Sequence, residues 1–449
     1  MELTLVLKKS EYNILWEDDG NYFGYNSFRN SFIVFDNNKE YLKVKALLNT
    51  TPIYSDINNT LLKTLTNNGF LIDSKFDEFN FIKLRYEENR YSKKTLTLTI
   101  SPTLDCNFNC SYCFEDNKRE IMTKEVIDRI KKYVEKKLLY SGVFGVVWFG
   151  GEPTLELEII EKLSKYFIKI SNERRAVYSS MMITNGYDLN TEKIKLLKLL
   201  KIDALQITVD GSRDIHNIRR PYKKDNKGTF DKIIENIKIA SKYFKISVRI
   251  NIDKENFFDI KNLFDILEKE GLKNRVYPYL GHVQDFAKNE LDKNHYKTRE
   301  LSKKEFSIEE IKIFKYALKK GFKISIYPRN KNDFCGATRT NSVVFGPNGE
   351  MHKCWNDSTN PKASFGKITD RSYFDSKNYN KWILWNPFDN INCKNCSYLP
   401  LCLGGCPYTK IQNNKKNNCE KWKFSLKTLL KMHYDNKTIF SCNVSEVYQ

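Results

Sequence analysis

The sequence predicts an α/β protein built around parallel strands, and three observations support this fold class. From residue 95 to residue 280, short apolar stretches alternate with amphipathic ones, with a repeat of about 30 to 45 residues. The preceding residues, 1–92, contain no cysteine and have the alternating pattern of a small α+β unit. The last part, 331–449, is rich in cysteine, Gly, Asn and Pro. We therefore expect a barrel-like domain between two smaller ones.

Residues 1–92 are predicted to form a winged-helix-like α+β domain. Turn signals at Asp18-Asp-Gly20 and Asp36-Asn-Asn38 separate short strands, and two helices follow them. This order, in which strands are followed by two helices and a wing, is typical of a winged helix. The charged stretch Arg85–Lys94 is predicted to be a linker. The predicted strands are Leu3–Leu7, Tyr12–Trp16 and Ser31–Phe35, and the predicted helices are Lys39–Leu48 and Thr60–Asn67.

The alternation over 95–280 predicts a partial (β/α)6 TIM-like barrel, because repeated strand–helix units with right-handed crossovers make strands parallel. In such barrels the chemistry lies at the carboxyl ends of the strands. The predicted strands are Leu96–Ile100, Phe144–Trp148, Val177–Ile183, Ala204–Val209, Ser247–Ile252 and Arg275–Leu280. The predicted helices are Lys124–Tyr140, Leu155–Ile170, Thr191–Leu200, Thr229–Tyr243 and Phe257–Lys269.

The remaining chain is predicted to form a bridging segment and a loop-rich C-terminal domain. The bridging segment, 281–330, is lysine-rich with one predicted helix at Ser307–Lys320. The C-terminal domain, 331–449, consists of short loops with little apolar core of their own, so we expect bound metal to stabilise it.

Composition narrows the class of protein. No apolar run is long enough to span a membrane, and the N-terminus lacks the pattern of a signal peptide. We therefore expect a cytoplasmic protein whose cysteines stay reduced. The net charge of +20 comes from lysines scattered through every segment, which indicates a solubilising surface as readily as an acidic partner.

Three cysteines, Cys106, Cys110 and Cys113, follow the first barrel strand with C-x3-C-x2-C spacing. Thiolates this dense bind metal, and their number and spacing indicate an iron–sulfur cluster. Three thiolates can bind three irons of a four-iron cluster and leave the last open to a ligand, as catalytic zinc sites keep an open position. The alternative is a zinc site with a distant fourth ligand, although no His lies near the loop.

This loop resembles the C-x3-C-x-aromatic-C signature of the radical S-adenosylmethionine (SAM) enzymes, with Tyr112 as the aromatic residue, and the resemblance covers residues 95–280. It implies a [4Fe-4S] cluster on the three cysteines, with SAM at the open iron. The tetrapeptide Gly150-Gly151-Glu152-Pro153 resembles the GGEP motif of that superfamily, which binds the amino group of SAM. Further SAM contacts are implied for Thr184, Asn185 and Gln206, for which turn or capping roles are nearly as good an explanation.

The second cysteine group resembles the SPASM domain, the auxiliary-cluster extension of radical SAM enzymes that modify peptides and proteins. A zinc ribbon is the alternative, but it would have to use seven ordered cysteines without histidine. The seven are Cys335, Cys354, Cys393, Cys396, Cys402, Cys406 and Cys419, and Gly349 also matches the pattern.

The resemblance implies three [4Fe-4S] clusters in all. One auxiliary cluster would be fully ligated by Cys393, Cys396, Cys402 and Cys419, and the other bound by Cys335, Cys354 and Cys406. Arg329 stands where some relatives carry one more cysteine, which leaves room for an open iron in that second cluster. Cys442 is outside both groups and is predicted to be a plain thiol.

The resemblance implies a peptide-modifying oxidoreductase with an electron donor such as a flavodoxin or ferredoxin. We expect it to cross-link a ribosomally made precursor peptide through a thioether or C–C bond, with 1–92 gripping the leader of that peptide by strand addition. The runner-up is a sulfatase-type, formylglycine-forming maturase. Those enzymes carry an Asp directly after the cysteine that matches Cys354, and Trp355 stands there in this chain.

A further alternative is an iron–sulfur redox sensor whose winged helix binds DNA. No basic recognition helix is evident in residues 1–92, so we do not expect a nucleic-acid partner.

Overall fold

The computed structural model describes residues 6–50, 52–54, 59–113, 115, 119–284, 299–330, 335–368, 376–411 and 419–438. The described chain divides into two compact units. One comprises the residues up to Arg90, residues 325–335 and the residues from Trp385 onward; the other comprises Tyr91–Ile324 and Gly336–Leu384. The units reflect packing within the chain, and the four domains assigned by sequence stay predictions.

The N-terminal part of the first unit contains two antiparallel sheets of three strands each among the described residues, in the orders β5-β1-β6 and β2-β3-β4. The predicted helices and the strands Tyr12–Trp16 and Ser31–Phe35 are present, whereas residues 3–5 of the predicted strand Leu3–Leu7 lie outside the described residues. The strand β3 was missed, and the predicted linker Arg85–Lys94 was wrong because most of it lies in the helix α3. The elements are β1 (Val6–Lys9), β2 (Asn13–Asp18), β3 (Asn21–Asn26), β4 (Ser31–Phe35), α1 (Asn38–Asn49), β5 (Ile53–Tyr54), α2 (Thr60–Asn67), β6 (Leu71–Asp73) and α3 (Glu78–Tyr91).

The second unit contains the predicted barrel strands, and they run parallel in chain order, which confirms the α/β fold class. The strands are β7 (Thr95–Ile100), β8 (Val143–Trp148), β9 (Val177–Thr184), β10 (Ile202–Thr208), β11 (Lys245–Ile252) and β12 (Val276–His282). The helices are α4 (Lys124–Leu138), α5 (Leu157–Glu173), α6 (Thr191–Leu199), α7 (Arg213–Arg219), α8 (Phe230–Ala240), α9 (Ile260–Lys269) and α10 (Lys303–Lys319).

The same sheet gains two strands from the region predicted to be loop-rich. β13 (Ser342–Phe345) pairs in parallel with β7, and β14 (Met351–His352) pairs antiparallel with β13. All four residues of β13 are buried. The helix α11 (Lys377–Ile383) follows in the same unit. The loop-rich prediction was therefore wrong for this stretch, because a four-residue strand buried on both faces has no alternation to reveal it.

The C-terminal cysteine region packs on the N-terminal strands within the first unit. Its helices are α12 (Ile391–Lys394), α13 (Leu399–Cys402), α14 (Pro407–Ile411) and α15 (Trp422–Thr438). Trp16, Phe23 and Phe32 of the second antiparallel sheet form one apolar cluster with Leu426 and Leu430 of α15. This region therefore has an apolar core, and five of the eight buried residues of that core come from the other end of the chain.

The core of the barrel unit lies between the sheet and its helices. Phe144 and Trp148 of β8 are fully buried against Phe167 of α5, with ring centroids 5.1 Å and 6.4 Å away. Among the described residues, no helix combines the length and the apolar character that crossing a bilayer requires.

Burial predicts the effect of matched substitutions in this core. Leu163→Ala in α5 removes a fully buried side chain, so we expect it to lower the free energy of unfolding by about 2–5 kcal/mol. Leu199→Ala in α6 removes a side chain that is 78% exposed, and we expect a change within about 0.5 kcal/mol. Urea denaturation followed by tryptophan fluorescence measures both, and equal effects would contradict this packing.

Candidate active site

The three cysteines of the first group lie on one loop directly after β7, at the carboxyl ends of the parallel strands. Burial raises the pKa of the Cys106 thiol well above its ordinary value, and the nearby charges of Glu152, Cys110 and Cys113 raise it further. Burial also raises the pKa of Cys110, while Arg220 opposes the shift. Thiols that raise each other's pKa are close neighbours that would bind a cation as thiolates.

Backbone hydrogen bonds attach the cysteine loop to the segment 219–223, which follows α7. The Asn109 amide donates to the Pro221 carbonyl at 3.0 Å and the Ser111 amide to the Arg219 carbonyl at 3.0 Å. The Lys223 amide donates in the other direction to the Asn107 carbonyl at 2.8 Å. The loop between the cysteines is thus paired like a short strand, which fixes the backbone that carries their thiols.

The two glycines of the GGEP motif pack against the backbone that leads into the cysteine loop. The Gly151 amide donates to the Thr103 carbonyl at 3.2 Å, and the Glu152 amide donates to the Asp105 carbonyl at 2.8 Å. A Cβ atom on Gly151 would lie 2.1 Å from the Asp105 carbonyl oxygen, and one on Gly150 would lie 2.3 Å from that of Thr103. These glycines are therefore required by the approach of one protein backbone to another.

The carboxylate of Glu152 connects the GGEP motif to the end of β9. It is fully buried and accepts hydrogen bonds from the Thr154 amide at 3.0 Å, the Thr184 hydroxyl at 2.7 Å and the Asn185 amide at 2.7 Å. Burial raises its pKa, although these three hydrogen bonds oppose the shift. The Asn185 side chain in turn donates to Asn107 at 2.6 Å and lies 4.0 Å from the Cys106 sulfur.

The structure therefore brings three of the predicted SAM contacts into one hydrogen-bonded group, and a fourth, Gln206, lies on the neighbouring strand. Glu152, Thr184 and Asn185 form one hydrogen-bonded group beside Cys106, and Pro153 begins the short 3-10 turn that follows. Gln206 lies in β10 and accepts a hydrogen bond from the Tyr279 hydroxyl at 2.6 Å. The roles of all these residues stay predictions.

A buried ionic network beneath the cysteine loop was not foreseen from the sequence. The Tyr112 hydroxyl donates to Asp210 and accepts hydrogen bonds from Arg220 at 2.6 Å and from the Asn251 amide nitrogen at 3.1 Å. Arg219 forms two hydrogen bonds with Asp253, at 3.0 and 2.8 Å. Only the position of Asp210, at the end of a predicted strand, gave a signal in advance, because its partners Tyr112 and Asn251 are more than 40 residues away in the sequence.

Four cysteines of the second group line one cavity in the first unit. Cys393, Cys396, Cys402 and Cys419 surround a space of about 70 Å³, next to Lys423, whose ammonium lies 3.9 Å from the Cys419 sulfur. Burial raises the pKa of the Cys402 thiol to about 12. Four thiols around one partly enclosed space, with a cation beside them, suit a multi-iron cluster with thiolate ligands.

The other predicted auxiliary set is divided between the compact units. Cys354 follows β14 in the barrel unit, whereas Cys335 and Cys406 belong to the other unit. Their grouping around one cluster stays a prediction. Cys442 lies outside the described residues. Within the described ranges, no three His, Cys, Asp or Glu side chains are close enough to bind a single metal ion.

Comparisons with known proteins identify the barrel. Residues 100–267 match the Radical SAM superfamily. A cysteine-type anaerobic sulfatase-maturating enzyme of Clostridium novyi is 26% identical over 77% of this chain and 98% of its own length. The radical SAM cyclopropyl synthase TigE of Paramaledivibacter caminithermalis is 23% identical over 98% of both chains.

Solved structures share the fold. The anSMEcpe structure with bound AdoMet and Cp18Cys peptide superposes with a TM-score of 0.60 at 21% identity, covering 76% of this chain and 99% of that one. Streptococcus suis SuiB bound to its precursor peptide SuiA gives a TM-score of 0.53 at 14% identity, covering 92% and 98%. Residues 100–267 of this chain therefore match a radical SAM domain and the chain resembles SPASM-type maturases, and that match implies a [4Fe-4S] cluster and SAM.

The tight contact at Gly151 predicts a specific effect on the first cluster. We expect Gly151→Ala to displace the cysteine loop, because its Cβ would lie 2.1 Å from a backbone oxygen, and to lower iron content by about the four irons of one cluster. Gly145→Ala in β8 is the matched control, since its Cβ would meet one side-chain atom at 4.0 Å. Iron analysis of both reconstituted variants measures this, and equal iron content would contradict the assignment.

Proposed function

We propose that this protein is a cytoplasmic radical SAM peptide maturase that oxidatively cross-links a ribosomally made precursor peptide through a thioether or C–C bond. One observation carries the proposal: the cysteine loop and the group Glu152–Thr184–Asn185 meet at the carboxyl ends of the parallel strands. A three-thiol loop beside a buried carboxylate suits a cluster with one open iron and a ligand that carries an ammonium group.

In this proposal the residues of the site have separate tasks. Cys106, Cys110 and Cys113 would bind the catalytic [4Fe-4S] cluster, and the motif Gly150–Pro153, with Thr184 and Asn185, would bind SAM. When bound, the cluster and SAM together supply a 5′-deoxyadenosyl radical that removes a hydrogen atom from the substrate. Tyr112, fixed by its three hydrogen bonds, keeps the loop in place.

The C-terminal cysteines would bind two auxiliary [4Fe-4S] clusters. Cys393, Cys396, Cys402 and Cys419 would ligate the first, and Cys335, Cys354 and Cys406 the second. Joining two substrate atoms removes two hydrogens and two electrons from the peptide, so the reaction needs an electron acceptor, and starting it needs a donor such as a flavodoxin or ferredoxin. The four-thiol cavity suits a centre with that redox function.

Proteins that resemble this chain support a peptide substrate. The SuiB structure contains a precursor peptide, and the anSMEcpe structure contains a peptide named Cp18Cys. The cyclopropyl synthase TigE matches 98% of this chain, including its N-terminal region, and its name describes formation of C–C bonds. This favours the C–C product over the thioether.

The N-terminal sheet offers an edge for the leader of the peptide. β6 lies at the end of the sheet β5-β1-β6. Because Ile72 pairs with Lys8 of β1 and the Ser74 amide donates to the Val6 carbonyl, alternation turns the backbone of Asp73 toward the outer side. Leu71 is fully buried and the Asp73 carbonyl accepts from the Phe76 amide at 3.0 Å, so the Asp73 amide is the group that this edge presents. An extended peptide could add to this edge as a further strand.

A sulfatase-type maturase is the second candidate, because the Clostridium novyi relative is an enzyme of that name. The position after Cys354 argues against it. Trp355 stacks on Phe149, the residue before the GGEP motif, with ring centroids 5.7 Å apart, and remains 41% exposed. An indole in that place cannot act as the base that an Asp would supply.

The proposal predicts the products of an anaerobic reaction with reconstituted protein, SAM and reductant. We expect 5′-deoxyadenosine, and a loss of about 2 Da from the short peptide encoded beside the gene, but no change in a sulfatase-motif peptide. Substitution of Cys106, Cys110 and Cys113 by Ala should abolish both products, whereas Cys442→Ala should not. If only the sulfatase peptide is modified, the protein is a sulfatase-type maturase. If no 5′-deoxyadenosine forms, both maturase hypotheses are wrong and the redox sensor is the alternative that is left.

Binding of the leader must be tested with point variants, because residues 1–92 share an apolar core with α15 and deleting them would expose that core. Asp73→Pro removes an outward amide from β6, so we expect about tenfold weaker binding of the leader peptide. Asp73→Ala keeps that amide and serves as the control. Fluorescence anisotropy of a labelled leader measures both, and unchanged affinity of the proline variant would contradict strand addition at β6.

A further inference from the structure

The inner face of the parallel sheet contains a guanidinium that no carboxylate of the described residues neutralises. Arg249 lies in the middle of β11 and is half-buried, between Val248 and Ile250, which are fully buried. Successive side chains of a strand point to opposite faces, so Arg249 points to the inner face. The inner-face positions of β7–β12 contain no Asp or Glu, and Arg249 forms no ion pair within the described chain.

Neighbouring side chains hold this guanidinium in one orientation. Its Nε donates to the Asn251 side-chain oxygen at 2.7 Å, and its Nη1 lies 3.5 Å from the Tyr279 hydroxyl. Tyr279 is itself fixed by donating to Gln206 at 2.6 Å. The Nη2 group makes no hydrogen bond with the described residues, so its two N–H donors are available to a ligand.

The guanidinium of Arg249 and the side chain of Asn251 occupy the space that a side chain at Gly281 would fill. Gly281 lies beside Asn251 in the sheet. A Cβ atom on Gly281 would lie 2.8 Å from the Asn251 oxygen, and 2.9 and 3.0 Å from the Nε and Nη2 atoms of Arg249. Any larger residue would displace the guanidinium. An unpaired, half-buried cation also loses hydration without compensation, which is unfavourable unless an anion arrives from outside.

Arg249 is connected to the cysteine loop through Asn251. The Asn251 side chain accepts from the Arg249 Nε at 2.7 Å and donates to the Tyr112 hydroxyl at 3.1 Å. The guanidinium is therefore one side chain away from Tyr112, which lies between Cys110 and Cys113. A group bound to Arg249 would lie close to the cysteine loop.

We infer that Arg249 binds a carboxylate of the peptide substrate, either an acidic side chain or the C-terminus, and so determines which carbon is presented to the radical. The inference rests on the proposed function. A guanidinium with a free edge pairs with a carboxylate through two parallel hydrogen bonds, which fixes orientation as well as position. Arg249 would thus be a specificity-determining residue.

The carboxylate of SAM is the other source of this chemistry, and the geometry disfavours it. If Glu152 binds the ammonium of SAM, the carboxylate on the same carbon must lie within a few ångströms of Glu152. Glu152 bonds to the end of β9, and Arg249 lies two strands away in β11, about 10 Å across the sheet. This strand spacing favours the peptide as the source of the carboxylate, and the SAM affinity of an Arg249 variant distinguishes the two.

Small probes test the inference on the reconstituted full chain with SAM bound. N-acetyl-aspartate amide and N-acetyl-alanine present a side-chain and a terminal carboxylate, and N-acetyl-asparagine amide is the neutral control. We expect ligand-observed NMR to show at least tenfold tighter binding of one carboxylate probe than of the neutral probe. Arg249→Gln should abolish the difference and Arg249→Lys should retain part of it. Lys245→Gln, at the exposed N-terminal end of the same strand, should leave it unchanged.

Other outcomes overturn the inference. Equal binding of all probes to the unsubstituted protein, or an unchanged preference in Arg249→Gln, would exclude a carboxylate site at Arg249. A tenfold loss of SAM affinity in Arg249→Gln, measured by calorimetry, would assign the guanidinium to SAM instead. Release of 5′-deoxyadenosine from the same samples without peptide reports on the proposed function separately, since that reaction does not require the probe.

Discussion

Backbone pairing of the cysteine loop on both sides is the constraint on which the rest of the active site depends. On one side, Gly151 and Glu152 donate to the carbonyls of Thr103 and Asp105; on the other, Asn109 and Ser111 donate to the segment after α7. A side chain at position 151 would clash with a backbone oxygen, which cannot move away as a flexible side chain could. The thiols and the buried Glu152 carboxylate meet because this loop is held between two other segments.

Charges inside the barrel unit separate into two kinds. Arg219 is paired with Asp253 and lies near Asp210, and these groups anchor Tyr112 and the loop above them. A buried ion pair of this kind stabilises little by itself, but removing one partner would leave the other uncompensated. Arg249 is different, because the described chain surrounds it with neutral partners only. The paired charges support the scaffold, whereas Arg249, like Glu152, has only neutral hydrogen-bond partners among the described residues, and a ligand charge is expected beside it.

The two ends of the chain form one unit, and this organisation links substrate recognition with the second cysteine group. Strands β2–β4 supply aromatic side chains to the core that α15 completes, and Tyr86 of α3 packs with Leu399 and Leu403 next to Cys393. The cysteine region therefore does not depend on metal alone for its structure. The same unit contains the proposed leader-binding edge and the cavity lined by four cysteines.

The sequence by itself determined the parallel strands and their order and yielded the residues proposed to bear the chemistry, because periodicity and cysteine spacing are local properties. It missed β13, which is too short and too buried to show alternation, and it took the polar helix α3 for a linker. Tertiary structure alone decided that the glycines of the GGEP motif serve a contact between backbones, that Gln206 accepts a hydrogen bond from Tyr279, and that Arg249 has no counter-ion in the part of the chain that the structure describes. Each of these depends on residues distant in the chain, and their proximity follows from sheet register, which no local pattern encodes.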